Sequence, residues 1–465
     1  MPISVTCPQC GTTLKVKDEL AGKRGKCPRC QGAVQIPAGE RTEAKAPAGV
    51  ARNSTAKVEF TASPEERRAG VLAPLTGSIE KLQSPFSFRM RMLLAAMATC
   101  LVPVLYLALI LLFGGGAIAW YLFAPSLLGN SAGFGGDMLF YGPIAIGLVI
   151  AVSLLKPLVA PRPTKGKTKS LPRDKAPLLY EFVERVAAAI GADAPQQIAV
   201  DGNTALYGSK SRLLIGLPLV ASVTAEQLAG MIAHECGRHV QGTAAGTAGF
   251  VRGISTFFFR AVKERDAWDE SVHAATTSRR SWLGKLLWPI RALFMLVKVL
   301  LWPLMYLSRM FSGLLLQKTE YDADLCQIRL IGSKPFEATF RALRVMDFAW
   351  QQVQVDLVFQ HKESQLPDNL PRQLESAIAQ VPDDFRVGLS VQGDTSETAD
   401  FALIPAEKDR LAAAHSAAAV GIYVCPLPAT ILFKDFDALA KDITWDYYLV
   451  ELGPPLERRF LHPVV

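Results

Sequence analysis

Charged residues are sparse in this chain. They make up 20% of its 465 residues, whereas half the residues are apolar and the mean hydropathy is +0.22. So little charge points away from a purely soluble enzyme, and so large an apolar fraction rules out a mostly disordered chain. The start also lacks an apolar run: Met1–Ile36 has nothing resembling the core of a signal peptide. Eight cysteines are too scattered for a disulfide framework. Cys7, Cys10, Cys27 and Cys30 form two close pairs, while Cys100, Cys236, Cys326 and Cys425 stand alone. This usage suits a reducing compartment and metal binding rather than oxidation. No Gly-rich phosphate loop is present, since Gly114-Gly115-Gly116 lies inside an apolar run, and no nucleophile elbow surrounds a serine or cysteine. The net charge of +8 is not gathered into a basic patch interleaved with aromatics, so no nucleic-acid partner is expected.

What is present falls into blocks. Residues 1–38 contain Cys7-Pro-Gln-Cys10, sixteen intervening residues and Cys27-Pro-Arg-Cys30. Four thiolates at this spacing suit tetrahedral Zn2+ in a zinc ribbon, where the metal stabilises a module too small to hold itself together by burial. Residues 39–88, rich in Ala, Pro, Ser, Thr and charge, read as a flexible linker. Residues 89–160 hold two uncharged runs, Met92–Phe123 and Met138–Leu155, each long enough to be a transmembrane helix. Arg89 and Arg91 precede the first run, and Lys156, Arg162, Lys165, Lys167, Lys169, Arg173 and Lys175 follow the start of the second flank, while Ala124–Asp137 has no basic residue. The positive-inside rule then predicts a multi-pass protein of the inner (cytoplasmic) membrane with both flanks in the cytoplasm.

Beyond Lys175 the pattern is that of a folded domain, 176–332. Leu178, Leu179, Phe182, Val183, Val186 and Ile190 give one helical face closed by Gly191, and strands are predicted at Gln197–Val200 and Arg212–Ile215. Thr224 and Gln227 form a capping box that opens a helix predicted to reach about Gln241. A third apolar segment, 286–316, contains Arg291, Lys298 and Arg309 on nearly one helical line, together with Pro289 and Pro303. An interfacial amphipathic segment or a membrane-edge hairpin suits it better than a lipid-exposed span. Residues 333–465 read as a C-terminal helical extension without assignable chemistry.

The helix opened by Thr224 carries His234-Glu235-Cys236-Gly237-Arg238-His239, and Glu320-Tyr321-Asp322-Ala323-Asp324 lies downstream with Glu320 and Asp324 on one face. With the two spans before it, this resembles the HtpX and CAAX-prenyl-protease family of membrane zinc metallopeptidases over roughly 178–332, and more weakly at Pro405–Arg410. The resemblance implies an α+β, mainly helical fold: a zincin-like metallopeptidase domain with membrane helices, plus the ribbon. It further implies hydrolysis of membrane or misfolded proteins, His234 and Glu320 as ligands of a catalytic Zn2+, Glu235 as general base and Asp324 as an orienting partner. Asn203 corresponds to a substrate-binding edge strand.

Two positions depart from the family pattern. Arg238 stands where the second zinc histidine is expected, and an arginine cannot ligate zinc. The family's downstream Thr-His-Pro, whose histidine helps to stabilise the reacting carbonyl, reads Leu403-Ile404-Pro405 here. His239 lies five residues after His234, about 140° around a regular helix rather than about 40°. Three readings follow. In one, Arg238 points at Glu320 and Glu235 and its charge replaces the metal's, leaving a non-catalytic membrane adaptor that binds a protein partner through ribbon and groove. In another, a π-bulge at Gly237 brings His239 to the metal face. In the third, the site is weakened to two ligands, holds another metal, or is a coincidental pair. Buried packing is expected of Cys236, and surface or satisfied structural roles of His273, His361, His415 and His462.

Overall fold

A computed structural model of the chain describes the backbone of residues 3–6, 13–16, 24–26 and 33–35, and residues 63–82, 85–128, 134–159, 166–240, 243–277, 288–453 and 456–464. The chain divides into two compact units, Met1–Ala56 and Lys57–Val465. In the first, β1 (Ile3–Thr6) pairs antiparallel with β2 (Thr13–Val16), and β3 (Arg24–Lys26) pairs antiparallel with β4 (Ala33–Gln35). Both Cys-x-x-Cys pairs fall in the stretches between paired strands, 7–12 and 27–32, which lie outside the described residues.

The second unit is mainly helical and begins inside the stretch expected to be a linker. In α1 (Pro64–Leu72), Ser63 and Glu66 form a reciprocal capping box, with Pro64 in the first turn. Val71, Leu72, Leu75 and Ile79 are buried in the main core. Arg68 forks onto Glu181 at 2.6 and 2.7 Å, and Tyr423 donates to the Val71 carbonyl at 3.1 Å. The expectation of a tether through residue 88 is therefore corrected: from Ser63 onward the chain buries apolar side chains.

Two long helices follow, α2 (Phe86–Leu128) and α3 (Phe134–Val159). Both are long and apolar enough to cross a membrane, and their outer faces expose Leu111, Leu112, Ile118, Leu122, Met138, Leu139, Ile146 and Val149. Such a surface is unfavourable in water and suited to lipid. Next, β5 (Lys169–Leu171) leads into α4 (Pro177–Ile190), which Gly191 ends at φ +72°. A four-stranded sheet forms from β5, β6 (Gln197–Asp201), β7 (Leu206–Gly208) and β8 (Arg212–Gly216), in the order β5-β6-β8-β7. Only β6 and β8 are parallel, and β7 is an edge strand. Phe182, Val186 and Ile190 of α4 pack with Ile198, Leu213 and Ile215 in one core.

The short α5 (Leu217–Ser222) precedes α6 (Ala225–Gly237), α7 (Thr243–Lys263) and α8 (Ala267–Thr277). Next comes α9 (Trp288–Ile331), unbroken for 44 residues despite Pro303. Its Arg291–Ile331 portion is a third helix long and apolar enough to cross a membrane, and its unbroken course corrects the expectation of a membrane-edge hairpin over 286–316. Packing explains how the charge is tolerated. Lys298 reaches Asp269 at 3.0 Å and the Glu264 carbonyl at 2.9 Å, while Arg309 lies 4.4 Å from the centre of the Phe259 ring. Val262 near the end of α7 and Val297 near the start of α9 join Tyr106 and Leu154 in a second cluster. The far end of α7, where α9 begins, thus packs beside the middle of α2. Val251 and Leu316, at their other ends, pack with Met92 near the start of α2.

The remaining helices are α10 (Ser333–Lys362), α11 (Leu370–Gln380), α12 (Asp383–Asp394), α13 (Glu407–Ala417) and α14 (Phe436–Glu451). They do not form an appended layer. Leu374, Tyr423, Leu432 and Tyr448 share one core with Leu179 and Leu228, so the stretch 333–465 completes the domain rather than extending it.

Candidate functional site

The site is built where α6 lies against α9. Thr224 Oγ1 accepts from the Gln227 amide at 3.2 Å, and Gln227 returns the bond to the Thr224 amide at 3.0 Å, which fixes where α6 starts. Small residues then bring the helices close. A Cβ on Gly230 would fall 2.6 Å from Ile331 Cδ1, and one on Gly237 would fall 3.0 Å from Cys326 Sγ. At this separation His234 and Glu235 of α6 face Glu320 and Asp324, which α9 presents one turn apart; all four are buried.

Arginines fill the space between these groups. Arg238 donates from Nη2 to Glu320 Oε2 at 2.8 Å, and its Nη1 lies 3.2 Å from Glu235 Oε1. Arg252, from α7, donates to the other Glu320 oxygen at 2.7 Å. His234 Nδ1 lies 2.9 Å from Asp324 Oδ1, and its Nε2 lies 3.5 Å from Glu320 Oε2. Arg410, from α13, forks onto Asp324 at 2.7 and 2.5 Å and lies over the Phe340 ring. Glu235 also accepts from the Gly208 amide of the edge strand β7 at 2.8 Å. Burial alone would lower the His234 pKa, but the Asp324 and Glu320 carboxylates outweigh it and hold the imidazole above its ordinary value. Burial likewise opposes the Arg238 charge, and Glu235 and Glu320 more than offset it.

Helix α6 ends earlier than its sequence suggests, and the manner of its ending decides the place of His239. After Gly237 the chain tightens: the His239 amide donates to the Cys236 carbonyl at 2.9 Å and the Val240 amide to the Gly237 carbonyl at 3.2 Å. These bonds span three residues, so the turn narrows where a π-bulge would widen it. His239 is therefore exposed at the rim of the cluster, beside the Gly208 backbone of β7, and burial of part of its ring lowers its pKa. The reading that brings His239 to Glu320 is corrected by this geometry.

Zinc does not fit the groups assembled here. Both oxygens of Glu320, the expected third ligand, are engaged by guanidinium groups, and Arg238 lies at the expected place of a second imidazole. Three arginines (238, 252 and 410) face three carboxylates (Glu235, Glu320 and Asp324), so the charges already cancel. A divalent cation would find no anion left uncompensated, and burying the excess charge would be costly. Among the described residues no group of three or more His, Cys, Asp or Glu side chains is arranged to hold a metal ion.

Asn203 is not part of the cluster. It lies between β6 and β7 and donates from its side chain to Asp201 at 2.8 Å, whereas the strand beside the site is β7. Cys236 is buried, and burial together with the Glu235 charge pushes its thiol pKa up to about 12, as suits a packing residue. His415, five residues after Arg410 on α13, pairs with Glu337 at 3.0 Å and not with the cluster. Sequence reasoning missed Arg252 altogether. Arg410 lay within the Pro405–Arg410 stretch, but its partner could not be read from it.

Comparison with protein-family models found no match, and comparisons with curated proteins and with solved structures found none either.

Proposed function

We propose that this chain is a membrane-anchored pseudopeptidase. In this reading it has the architecture of the HtpX and CAAX-prenyl-protease metallopeptidases, with a zincin-like domain whose catalytic metal is replaced by arginine. It holds a protein or peptide segment beside β7 without cutting it. The observation that carries the reading is Arg238 seated between Glu235 and Glu320. A guanidinium there supplies the positive charge the carboxylates need, but it offers no lone pair to a ligand and activates no water. The edge strand ending at Gly208 supports the binding half of the proposal, since an extended segment can pair with such an edge.

The ribbon cysteines Cys7, Cys10, Cys27 and Cys30 bind structural Zn2+ in this reading, which stabilises the small N-terminal module and adds a second surface for a partner. In this reading the N-terminus and the pseudopeptidase domain face the cytoplasm at the inner membrane, which the basic flanks of α2 and α3 support.

Metal analysis of the detergent-purified full chain tests the proposal. One zinc per chain is expected, retained in Glu320→Ala and lost in Cys7→Ser/Cys27→Ser. Unfolded or membrane-protein substrates are expected to stay intact, with Glu235→Gln indistinguishable from the parent. A second zinc that disappears in Glu320→Ala, together with cleavage that disappears in Glu235→Gln, would establish a working metallopeptidase instead.

A further inference from the structure

A cavity of about 480 Å³ lies between α2, α3 and α7 and shares no lining residue with the arginine cluster. Pro103 and Leu107 of α2, Leu158 of α3, and Phe250, Gly253 and Phe257 of α7 line it. Its volume is that of a ligand pocket, roughly 300–1,000 Å³. The hydroxyl among its lining residues belongs to Tyr106 and is already donated to the Leu154 carbonyl. A ligand here is therefore offered dispersion and burial and hardly any polar recognition. Gly253 widens the groove, for a Cβ placed on it meets nothing within 4 Å.

The position of the groove identifies what covers it. Leu107 and Leu158 belong to helices long and apolar enough to cross a membrane and are more than half exposed, as is Phe250. The groove thus opens onto the same surface as Val104 and Leu111, one turn either side of Leu107 and also more than half exposed. In a bilayer the molecule next to that surface is lipid. Leu158, which lines the groove, lies two residues after Lys156, whose ammonium is held by Asp266 and Asp269. This is the level at which an apolar span gives way to charge, and therefore where an acyl chain meets its headgroup.

We propose that the groove is a binding site for one acyl chain of a bilayer phospholipid, inserted between α7 and the α2–α3 hairpin. The site is distinct from the arginine cluster and does not depend on the pseudopeptidase reading. Helix α7 joins the two places, because Arg252 directly precedes Gly253.

The test is photolabelling of the full chain in nanodiscs of phosphatidylethanolamine and phosphatidylglycerol doped with a phosphatidylcholine that carries a diazirine in one acyl chain. Peptide mapping is expected to find label enriched on Leu107, Phe250 and Phe257 over the outer-face residues Ile146 and Val149. Gly253→Leu and Leu158→Trp, which fill the groove from different helices, are expected to lower that enrichment about tenfold. Gly116→Leu, on α2 at a glycine that also has open space but about 180° around the helix from Leu107, should leave it unchanged. Equal labelling of groove and outer face, or enrichment unaffected by both filling variants, would mean that lipid merely coats the surface. Loss of labelling with excess free palmitate would assign the groove to a free fatty acid, and cross-linking to a co-purified polypeptide would assign it to a protein segment. Either result overturns the proposal.

Discussion

Replacing Arg238 by histidine tests the account of the site most directly. Residue 238 caps α6 with helical dihedrals, φ −58° and ψ −20°, so an imidazole there would project from the same face as His234. In the absence of metal the variant loses a cation from between Glu235 and Glu320. Breaking a buried pair costs about 3–5 kcal/mol, and the lower end applies here because Glu320 keeps Arg252 and Arg238 is only partly buried. Arg238→His should therefore be about 3 kcal/mol less stable than the parent in chelator. Zinc should reverse the loss, since a ligand at a thousand times its Kd adds about 4 kcal/mol. Arg252 still competes for Glu320 in that variant, so Arg238→His/Arg252→Gln should bind zinc at least about tenfold more tightly than the single variant. The assays are zinc stoichiometry of the full chain, expected to rise by one equivalent, and unfolding in detergent with and without zinc. If both variants fold and neither gains metal, Arg238 is not what keeps zinc out, and the substitution account of the site fails.

Other consequences can be measured separately. His234 has a folded pKa above its unfolded value, so its contribution to stability is fully present below the unfolded pKa, near 6.5, and is lost as pH rises through the folded value. Histidine NMR, with His234→Gln to assign the signal, should show the His234 ring titrating above its ordinary range, and a His234 ring titrating below it would refute the reading. Lys156→Met should destabilise the protein by roughly 3 kcal/mol, because Asp266 and Asp269 lose their shared, nearly buried ammonium. Adding Asp269→Asn should recover part of that loss in a double-mutant cycle, whereas strict additivity would show the groups to be uncoupled. Gly208→Ala places a Cβ 2.7 Å from Glu235 Cβ, so strand and carboxylate must separate at a cost of about 1–3 kcal/mol. Faster amide exchange confined to β7 and α6 would confirm the site of strain.

The parts of the fold legible in the sequence were those written in local pattern. The apolar face ending at Gly191, the Thr224–Gln227 capping box and the uncharged runs each specify an element without distant help. The spacing of Glu320 and Asp324 likewise placed both on the face that meets His234. What escaped was decided by tertiary packing. The nine residues of α1 are too few to show a period, although Ser63 and Glu66 already spelled its cap. Pro289 and Pro303 suggested a break that helix contacts overrode in α9. Arg252 and Arg410 meet carboxylates 68 and 86 residues away, a pairing no local pattern encodes. The early end of α6 arises from the narrowed turn after Gly237, and that turn also determines the fate of His239.

The length of α9 has a mechanical consequence. At 1.5 Å per residue its 44 residues extend about 66 Å, roughly twice the hydrocarbon thickness of a bilayer. The helix that is apolar enough to enter a bilayer near its start also carries Glu320 and Asp324 near its end, with no break between them. It acts as a rigid strut, so the height of the two carboxylates above the membrane follows the depth at which α9 settles. Bilayer thickness and tilt thereby become coordinates of the site, and the partners of those carboxylates on α6, α7 and α13 must move with the strut or lose their bonds to it.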